Sequence, residues 1–435
     1  MQAEPTMNEN SKLHSWKNRL QQLQCWLVIA YAASLSLPIT VPWIILTVGI
    51  IVAVVQLLIN VKLKSFKFEM PPLTVPIACL TVVYFVSGLF NGEPNAGLAG
   101  GLKEALASVG VMRTFLVYFW AYFAIHDSKE LKAKIVPSLL VLGALGGIAA
   151  MIEHQFQLHI SSFKYLQGTG FLSGPMAFAG VMQMLSLLSI SLWLTGAYDQ
   201  LAGRFKEKLI FIPIAIGNIL GLLFAFERSA WFGFGVGAML VAGFVSRKLL
   251  MRVVALGLVV CVVGWFALPA VQARMGGILR GEQEESSRQR MEVWMSAINQ
   301  YKSSTVDTLY KSEIIGVGPR KFSPVKIQGP NKQELDHAHS NYLQSLTTTG
   351  LIGFVVYMWL CLASLKLAWQ NVKKARVDDV LDKSIGLGIL GGTLSLMLAG
   401  IFEYNFGTGN VRLAQWFLLA MLTAQQSWSR FVRAK

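Results

Sequence analysis

Long apolar runs separated by short polar connections dominate the pattern of the chain. VPWIILTVGIIVAVVQLLIN (Val41 to Asn60) and VVALGLVVCVVGWFALPAV (Val253 to Val271) approach the roughly 20 residues that an α-helix needs to cross a hydrocarbon core. These runs do not alternate apolar and polar residues, which disfavours a β-barrel. The pattern predicts an all-α integral membrane protein with about twelve transmembrane helices, at 24–40, 42–60, 73–90, 108–126, 134–152, 172–196, 209–226, 229–246, 250–269, 349–369, 384–402 and 411–428.

One long polar segment, 272–348, interrupts this pattern and is too long to be a passive connection. Within it, SSRQRMEVWMSAINQY has apolar residues at near-helical spacing, which predicts an amphipathic helix lying against the membrane face. We therefore divide the chain into a cytoplasmic N-terminal tail at 1–23, transmembrane helices 1–9 at 24–271, a periplasmic loop subdomain at 272–348, transmembrane helices 10–12 at 349–428, and a cytoplasmic tail at 429–435.

The net charge of +15 could indicate a nucleic-acid-binding protein, but the distribution of the cations argues against it. Lysine and arginine collect in alternate short connections, whereas the opposite connections hold few of them, as the positive-inside rule describes. We therefore expect cytoplasmic termini, a periplasmic long segment and no nucleic-acid partner. The four cysteines lie in or beside apolar runs, which predicts neither a disulfide nor a metal cluster.

Three arginines are the candidate anion-binding residues. Arg228 lies in FAFERSAWFGFG, where a very short outer turn joins two predicted spans, and its alternative role is an interfacial contact with lipid phosphate or Glu227. Arg288 and Arg290 lie near the start of the predicted loop helix, where a helix N-terminus and guanidinium groups could bind phosphate oxygens. For each of these two, the alternative is a solvated face paired with a neighbouring glutamate.

DHAHSNYLQS, from Asp336 to Ser345, places His337 and His339 two residues apart just before a predicted span. Such residues share a face in an extended segment but diverge by about 200° in a helix, so the pair supports a metal site only weakly. A histidine with a carboxylate in reach suits a general base, with Asp336 or a more distant acid orienting the ring. The residues leave open which histidine is the base, and the other could cap the following helix.

Arg113, Glu403 and Tyr404 are secondary candidates, because they are polar or ionisable groups near the outer ends of predicted spans. For Glu403, the structural alternative is an ion pair with Arg412.

The order of these elements resembles the O-antigen ligase family and its relatives in the O-antigen ligase/polymerase superfamily. ERSAW, RMEVW, IIGVGPRKF and HAHSNYLQSLTTTGLIGF follow one another between Phe224 and Gly353. Arg228 matches the arginine of the family's short outer turn, Arg290 the arginine four residues before a tryptophan, and His339 the histidine of its His-Asn or His-Ser pair. Ser340 stands where the family often has asparagine.

The resemblance implies a GT-C-type glycosyltransferase of the bacterial inner membrane that needs no metal or other cofactor. Its donor would be a glycan on undecaprenyl pyrophosphate and its acceptor lipid A–core, joined at the periplasmic face among membrane lipids. His339 would be the general base, and Arg228 and Arg290, with Arg288, would bind the pyrophosphate. His337 could orient His339 or bind glycan. A single displacement would invert the anomeric configuration.

Three other functions remain open at this stage. An O-antigen polymerase or a protein O-oligosaccharyltransferase would belong to the same superfamily, and the single long outer segment favours a ligase over a polymerase. A transporter of polyprenyl-linked glycan is a less favoured alternative, because binding charges in transporters usually lie near the bilayer midplane. Here the candidate charges collect at the outer ends of the spans.

Overall fold

The described part of the chain is almost entirely helical. The computed structural model describes residues 9–64, 69–92, 97–125, 129–158, 167–201, 208–267, 272, 285–302, 312–326, 334–375 and 379–433. Its α-helices are α1 Glu9–Ser34, α2 Thr40–Lys62, α3 Thr74–Phe90, α4 Gly97–Val111, α5 Leu116–Ile125, α6 Lys129–Gln155, α7 Pro175–Thr195, α8 Tyr198–Leu201, α9 Lys208–Phe224, α10 Arg228–Val245, α11 Arg247–Ala267, α12 Glu285–Lys302, α13 Ser312–Ile315, α14 Asn341–Lys374, α15 Val380–Ala399 and α16 Gly409–Arg433.

Short elements complete this set. Two 3-10 turns, Met112–Phe115 and Asn405–Gly407, precede α5 and α16. Strands β1 (Val325–Lys326) and β2 (Glu334–Leu335) form one small antiparallel ladder. The sequence did not predict these strands, because two residues are too few to show an alternating pattern.

Eight candidate membrane spans occur in the described residues, judged by length and apolar composition. α3 and the Phe211–Phe224 part of α9 are shorter apolar helices. Each of the twelve predicted spans overlaps a helix, but α1 and α16 are not among the eight, because polar residues occupy much of their length. The described helices fit an integral membrane protein, and the count of twelve transmembrane helices stays a prediction.

One end of the helix bundle gathers the connections that precede α2, α4, α7, α10 and α16, together with the segment before α14. We call it the site end. Four hydrogen bonds join these connections: Asn410 Nδ2 to Leu37 O (3.4 Å), Asn91 Nδ2 to Gly316 O (3.1 Å), Gly168 N to Phe224 O (2.8 Å) and Asn341 N to Gly400 O (2.8 Å). At the opposite end, Lys132 pairs with Asp382 at 3.6 Å.

Helices α7 and α15 form the centre of the bundle. The apolar window of α7 is 83% buried and that of α15 is 67% buried, whereas the window of α11 is 0% buried. α7 packs against α9, α10 and α15, and glycines of α10 and α15 allow close backbone approach: a Cβ on Gly233 would lie 2.4 Å from Ser395 O. The central helices therefore hold the connections of the site end in place.

Helix α4 contacts the site end at both of its ends. Near its start, a Cβ on Gly92 would lie 2.5 Å from Gly101 Cα, and at its end Val111 O accepts a hydrogen bond from Arg412 Nη1 at 2.8 Å. Arg113 follows directly, in the 3-10 turn. Arg113 therefore lies at the site end, and its position on the outer side of the membrane stays a prediction.

Candidate active site

A break in α14 provides the docking position for the IIGVGPRKF segment. Gly350 has φ +67°, which interrupts the helical hydrogen-bonding pattern. Two carbonyls on the preceding turn accept bonds from outside the helix: Val317 N donates to Thr347 O and Gly318 N donates to Thr348 O, both at 3.0 Å. The loop before β1 is thereby fixed to the helix that follows the histidines.

Glycine is required at the two positions where these backbones touch. Gly316 has φ +77°, and a Cβ there would lie 2.3 Å from Thr348 C. A Cβ on Gly350 would lie 2.3 Å from Ile314 C. A Cβ does not approach backbone atoms so closely, and positive φ favours glycine. Close backbone contact and positive φ therefore explain why glycine occupies both positions.

The side chains around the histidines fix their backbone. Ser340 is the N-cap of α14 and accepts a bond from Leu343 N at 3.4 Å, and Gln344 Oε1 accepts from Ala338 N at 2.7 Å. Buried capping bonds of this kind satisfy amides that would otherwise lack partners. The sequence reasoning did not single out Gln344, because its partner lies outside any recognisable capping motif.

Asn341 connects the histidine segment to the connection between α15 and α16. Its Oδ1 accepts a bond from Phe406 N at 2.8 Å, and its backbone N donates to Gly400 O at 2.8 Å. Ser340 therefore caps α14, and Asn341 joins the histidine segment to the connection between α15 and α16 by hydrogen bonds.

His339 is buried, with 8% of its surface exposed, and it has a left-handed backbone at φ +44°. A non-glycine residue there is uncommon and costs about 1 kcal/mol or more, so the surrounding bonds must maintain it. The ring Nδ1 lies 3.2 Å from Glu403 Oε1. The acid that contacts His339 is therefore the distant one, not Asp336.

Glu403 is the centre of a small charged group. Its Oε1 also accepts from Tyr404 N at 3.1 Å, and its Oε2 lies 3.9 Å from Arg290 Nη2. Burial alone would raise the pKa of Glu403, but the His339 hydrogen bond, the neighbouring positive charges and the Tyr404 amide together lower it below its ordinary value. We call Arg290, His339 and Glu403 the paired cluster.

The register of α12 aims Arg290 at this cluster. Trp294, one turn further on, stacks on Phe402 with ring centroids 6.3 Å apart, so both side chains face the connection that carries Glu403. Arg288 instead forms an ion pair with Glu292 of the same helix at 3.6 Å. The structure thus brings Arg290 to the carboxylate that also contacts His339, whereas Arg288 pairs with a neighbouring glutamate, the alternative considered from the sequence.

Arg228 is the first residue of α10 and is half-buried. Phe226, two residues earlier, has φ +52°, which makes the turn sharp. Both neighbours of Arg228, Glu227 and Ser229, line a small pocket that Glu403 also lines. The short arginine turn and the paired cluster therefore border the same space.

His337 lies beside His339, with ring centroids 4.1 Å apart. Its Nδ1 accepts a bond from the His339 backbone N at 3.2 Å, and its Nε2 lies 3.9 Å from the exposed Asp336. Burial, followed by the charge of His339, lowers the pKa of His337. The described geometry is that of a neutral ring that supports the backbone of its neighbour.

The secondary candidates fall into two places. Tyr404 lies next to His337, with ring centroids 5.5 Å apart, while the Arg113 guanidinium lies over the Trp43 ring at 4.9 Å. The alternative pairing of Glu403 with Arg412 is wrong: Arg412 donates to the carbonyls of Val111 and Gly407. The described residues contain no group of three or more metal-binding side chains.

The described fold and this cluster define a polytopic helical membrane protein with a buried histidine–carboxylate–arginine group at one end. Residues 213–358, about a third of the chain, match the family model of O-antigen ligase. This match supports the resemblance to the O-antigen ligase superfamily, whose ligases and polymerases are glycosyltransferase-like. The matched segment contains Arg228, Arg290 and His339 but not Glu403. No curated protein matches the chain.

Proposed function

We propose that this protein is an O-antigen ligase of the bacterial inner membrane. It transfers a glycan from undecaprenyl pyrophosphate to lipid A–core at the periplasmic face, without a metal or other cofactor. The observation that carries the proposal is the paired cluster, in which one buried carboxylate lies 3.2 Å from a buried histidine and 3.9 Å from an arginine. Its arginine and histidine belong to the segment that matches the family.

His339 is the general base of the proposed reaction. Glu403 holds its Nδ1, which leaves Nε2 as the ring nitrogen that accepts a proton. The acceptor hydroxyl oxygen attacks the anomeric carbon, its proton passes to Nε2, and the bond from that carbon to the pyrophosphate oxygen breaks with its electron pair. Glu403 keeps the tautomer fixed and stabilises the imidazolium as it forms. A single displacement of this kind inverts the anomeric configuration.

Arg290 and Arg228 bind the pyrophosphate as its charge develops. Arginine suits this role because its guanidinium forms paired hydrogen bonds to phosphate oxygens and stays charged. Arg290 contacts Glu403, the carboxylate that holds the base. Arg228 is the first residue of α10, and the residues on either side of it line the pocket that Glu403 also lines. Arg288, paired with Glu292, has the weaker geometric support for this role.

A ligase is favoured over the other members of the superfamily by the single long outer segment of the sequence. An O-antigen polymerase would use a second lipid-linked glycan as acceptor, and a protein O-oligosaccharyltransferase a serine or threonine. A transporter is disfavoured because the candidate site charges lie at the site end and because transport needs no histidine base.

The test is transfer by purified, reconstituted protein, with a polyprenyl-pyrophosphate glycan as donor, lipid A–core as acceptor and a chelator present. The informative variant is His339→Asn, because asparagine tolerates the left-handed backbone that His339 adopts at φ +44°. We expect metal-free transfer by the wild type and a loss of roughly 10²–10⁴-fold in kcat for the variant, with an unchanged melting temperature.

The matched control is His337→Asn, which keeps a side-chain acceptor for the His339 amide and should retain transfer. Equal rates for wild type and His339→Asn would exclude His339 as the base. Transfer to a second lipid-linked glycan but not to lipid A–core would identify a polymerase, and transfer to a periplasmic protein alone would identify a protein glycosylase.

A further inference from the structure

Arg412 is a buried arginine that no part of the proposed mechanism uses. It lies in the first turn of α16 and exposes 9% of its surface. Its Nη1 donates to Val111 O at 2.8 Å and its Nη2 donates to Gly407 O at 3.4 Å. Its Nε is buried and has no hydrogen-bond partner within the described residues. The side chain is therefore held in one position with part of its hydrogen-bonding capacity unused.

No carboxylate balances the charge of Arg412 within the described residues. The groups in its electrostatic reach are Tyr404, Tyr84 and a second cation, Arg113. Arg113 itself is exposed and lies over Trp43, and no described acid pairs with it. The Tyr404 ring packs against Gly407, the residue whose carbonyl Arg412 binds. We call Arg113, Arg412 and Tyr404 the arginine cluster.

An unbalanced buried cation is costly, because burial removes the water that solvates it and neutral carbonyls replace that water only in part. A second cation nearby adds repulsion. Two guanidinium groups with tyrosine hydroxyls form instead the donor set that binds phosphate oxygens. The arrangement is therefore one that an external anion would complete.

We propose that the arginine cluster binds the phosphate group of a membrane lipid. Arg113 and Trp43 are reachable from outside the bundle, and an arginine over a tryptophan ring at a helix end is suited to the depth of lipid headgroups. Arg412 would bind the same phosphate from the buried side. An anionic lipid could thus reach the cluster sideways, without entering the aqueous space.

The position of the cluster identifies which lipid this would be, an assignment that rests on the proposed function. Tyr404 of the arginine cluster packs against Gly407, and its backbone N donates to Glu403 Oε1 of the paired cluster at 3.1 Å, so the two clusters adjoin. If Arg290 and Arg228 bind the donor pyrophosphate, the second lipid of the reaction needs its own anchor. We assign the arginine cluster to the phosphate-bearing acceptor lipid.

Binding can be measured without any transfer reaction. The full chain, purified in detergent, is titrated with phosphatidic acid, with diacylglycerol as the uncharged reference and inorganic phosphate as competitor, and bound lipid is counted by native mass spectrometry. The variants are Arg113→Gln, which breaks no hydrogen bond among the described residues, and Arg412→Lys, which keeps the charge but not the paired geometry. Arg320→Gln is the matched control, since Arg320 is an exposed arginine of the same end that pairs with Glu104 at 3.6 Å.

We expect phosphatidic acid to bind in preference to diacylglycerol, and each cluster variant to weaken it roughly 10-fold while Arg320→Gln has no effect. Equal binding by all four proteins would overturn the site. Displacement of the lipid by millimolar inorganic phosphate would overturn its assignment to a lipid and leave a free-phosphate site.

A kinetic measurement decides between the two substrates. In the transfer assay, Arg113→Gln should raise KM for the acceptor roughly 10-fold and leave KM for the donor unchanged. The opposite pattern would assign the cluster to the donor and overturn the acceptor assignment. If the wild type transfers nothing, the proposed function fails, while the lipid titration still tests the site.

Discussion

The site end contains two charged groups that differ in how their charges are balanced. In the paired cluster, Arg290 and His339 share the carboxylate of Glu403, which the chain itself supplies. In the arginine cluster, Arg412 and Arg113 find carbonyls, an aromatic ring and tyrosines, but no carboxylate among the described residues. The comparison shows that arginines at the same end of the bundle can be balanced in different ways.

The physical difference is one of preorganisation. A buried charge with an internal partner is fixed before any ligand arrives, which suits a group that must move a proton at a defined position. A buried charge without an internal partner gains most when an external anion binds, which suits a ligand anchor. Three changes would test this contrast, from the largest expected effect to the smallest.

Replacing the shared carboxylate should affect one cluster only. Glu403→Gln removes the partner of both His339 and Arg290, so we expect kcat for transfer to fall roughly 10–100-fold, because the histidine loses the group that orients it. Binding of phosphatidic acid at the arginine cluster should stay unchanged. Glu104→Gln, at the Arg320 ion pair, is the matched control. Unchanged transfer by Glu403→Gln would mean that the carboxylate does not support the base.

Changing Gly350, at the break in α14, should impair the paired cluster and leave the arginine cluster able to bind lipid. Gly350→Ala places a Cβ 2.3 Å from Ile314 C at a positive φ, so we expect a loss of roughly 2–4 kcal/mol in the free energy of unfolding. Thermal unfolding and transfer should both suffer, because the same helix begins after His339. The arginine cluster lies on α16 and beside α4 and should still bind lipid.

The control for this change is Gly257→Ala in α11, where a Cβ would meet nothing within 4 Å. Alanine favours a helix more than glycine does, so this variant should unfold at the wild-type temperature or slightly above it. A melting temperature for Gly350→Ala equal to that of Gly257→Ala would contradict the role assigned to the break.

The smallest effect concerns pH. The folded state lowers the pKa of His337 below 6.5, mainly through burial and then through the charge of His339. The unfolded chain therefore binds this proton at a higher pH, so the stabilisation is present above about 6.5 and is lost as pH falls through the folded value. His337→Asn should flatten the decline of the melting temperature between about pH 7.5 and about pH 5.5 by a few degrees, roughly. An identical decline in both proteins would show that His337 does not contribute.

The sequence predicted much of the candidate site through residue order. Arg228, Arg290 and His339 were recognised because each lies in a local motif that a short stretch of chain can show. Glu403 was only a secondary candidate, and its alternative partner, Arg412, was wrong, because 64 residues separate His339 from Glu403 and no local pattern links them. Arg288 looked equivalent to Arg290, since the sequence could not show which face of α12 meets the connection carrying Glu403.

The sequence by itself determined the helical membrane class, the location of the apolar segments and the resemblance of residues 213–358 to the O-antigen ligase family, because these depend on composition, run length and local motifs. Only the tertiary structure decided that Gly316 and Gly350 are contact points, that Ser340 and Asn341 hold the histidine backbone, and that Arg412 lacks an acidic partner among the described residues. Those facts depend on which helix ends meet at the site end. Pairwise contacts between distant parts of a chain arise from packing, which a pattern of apolar residues constrains but does not specify.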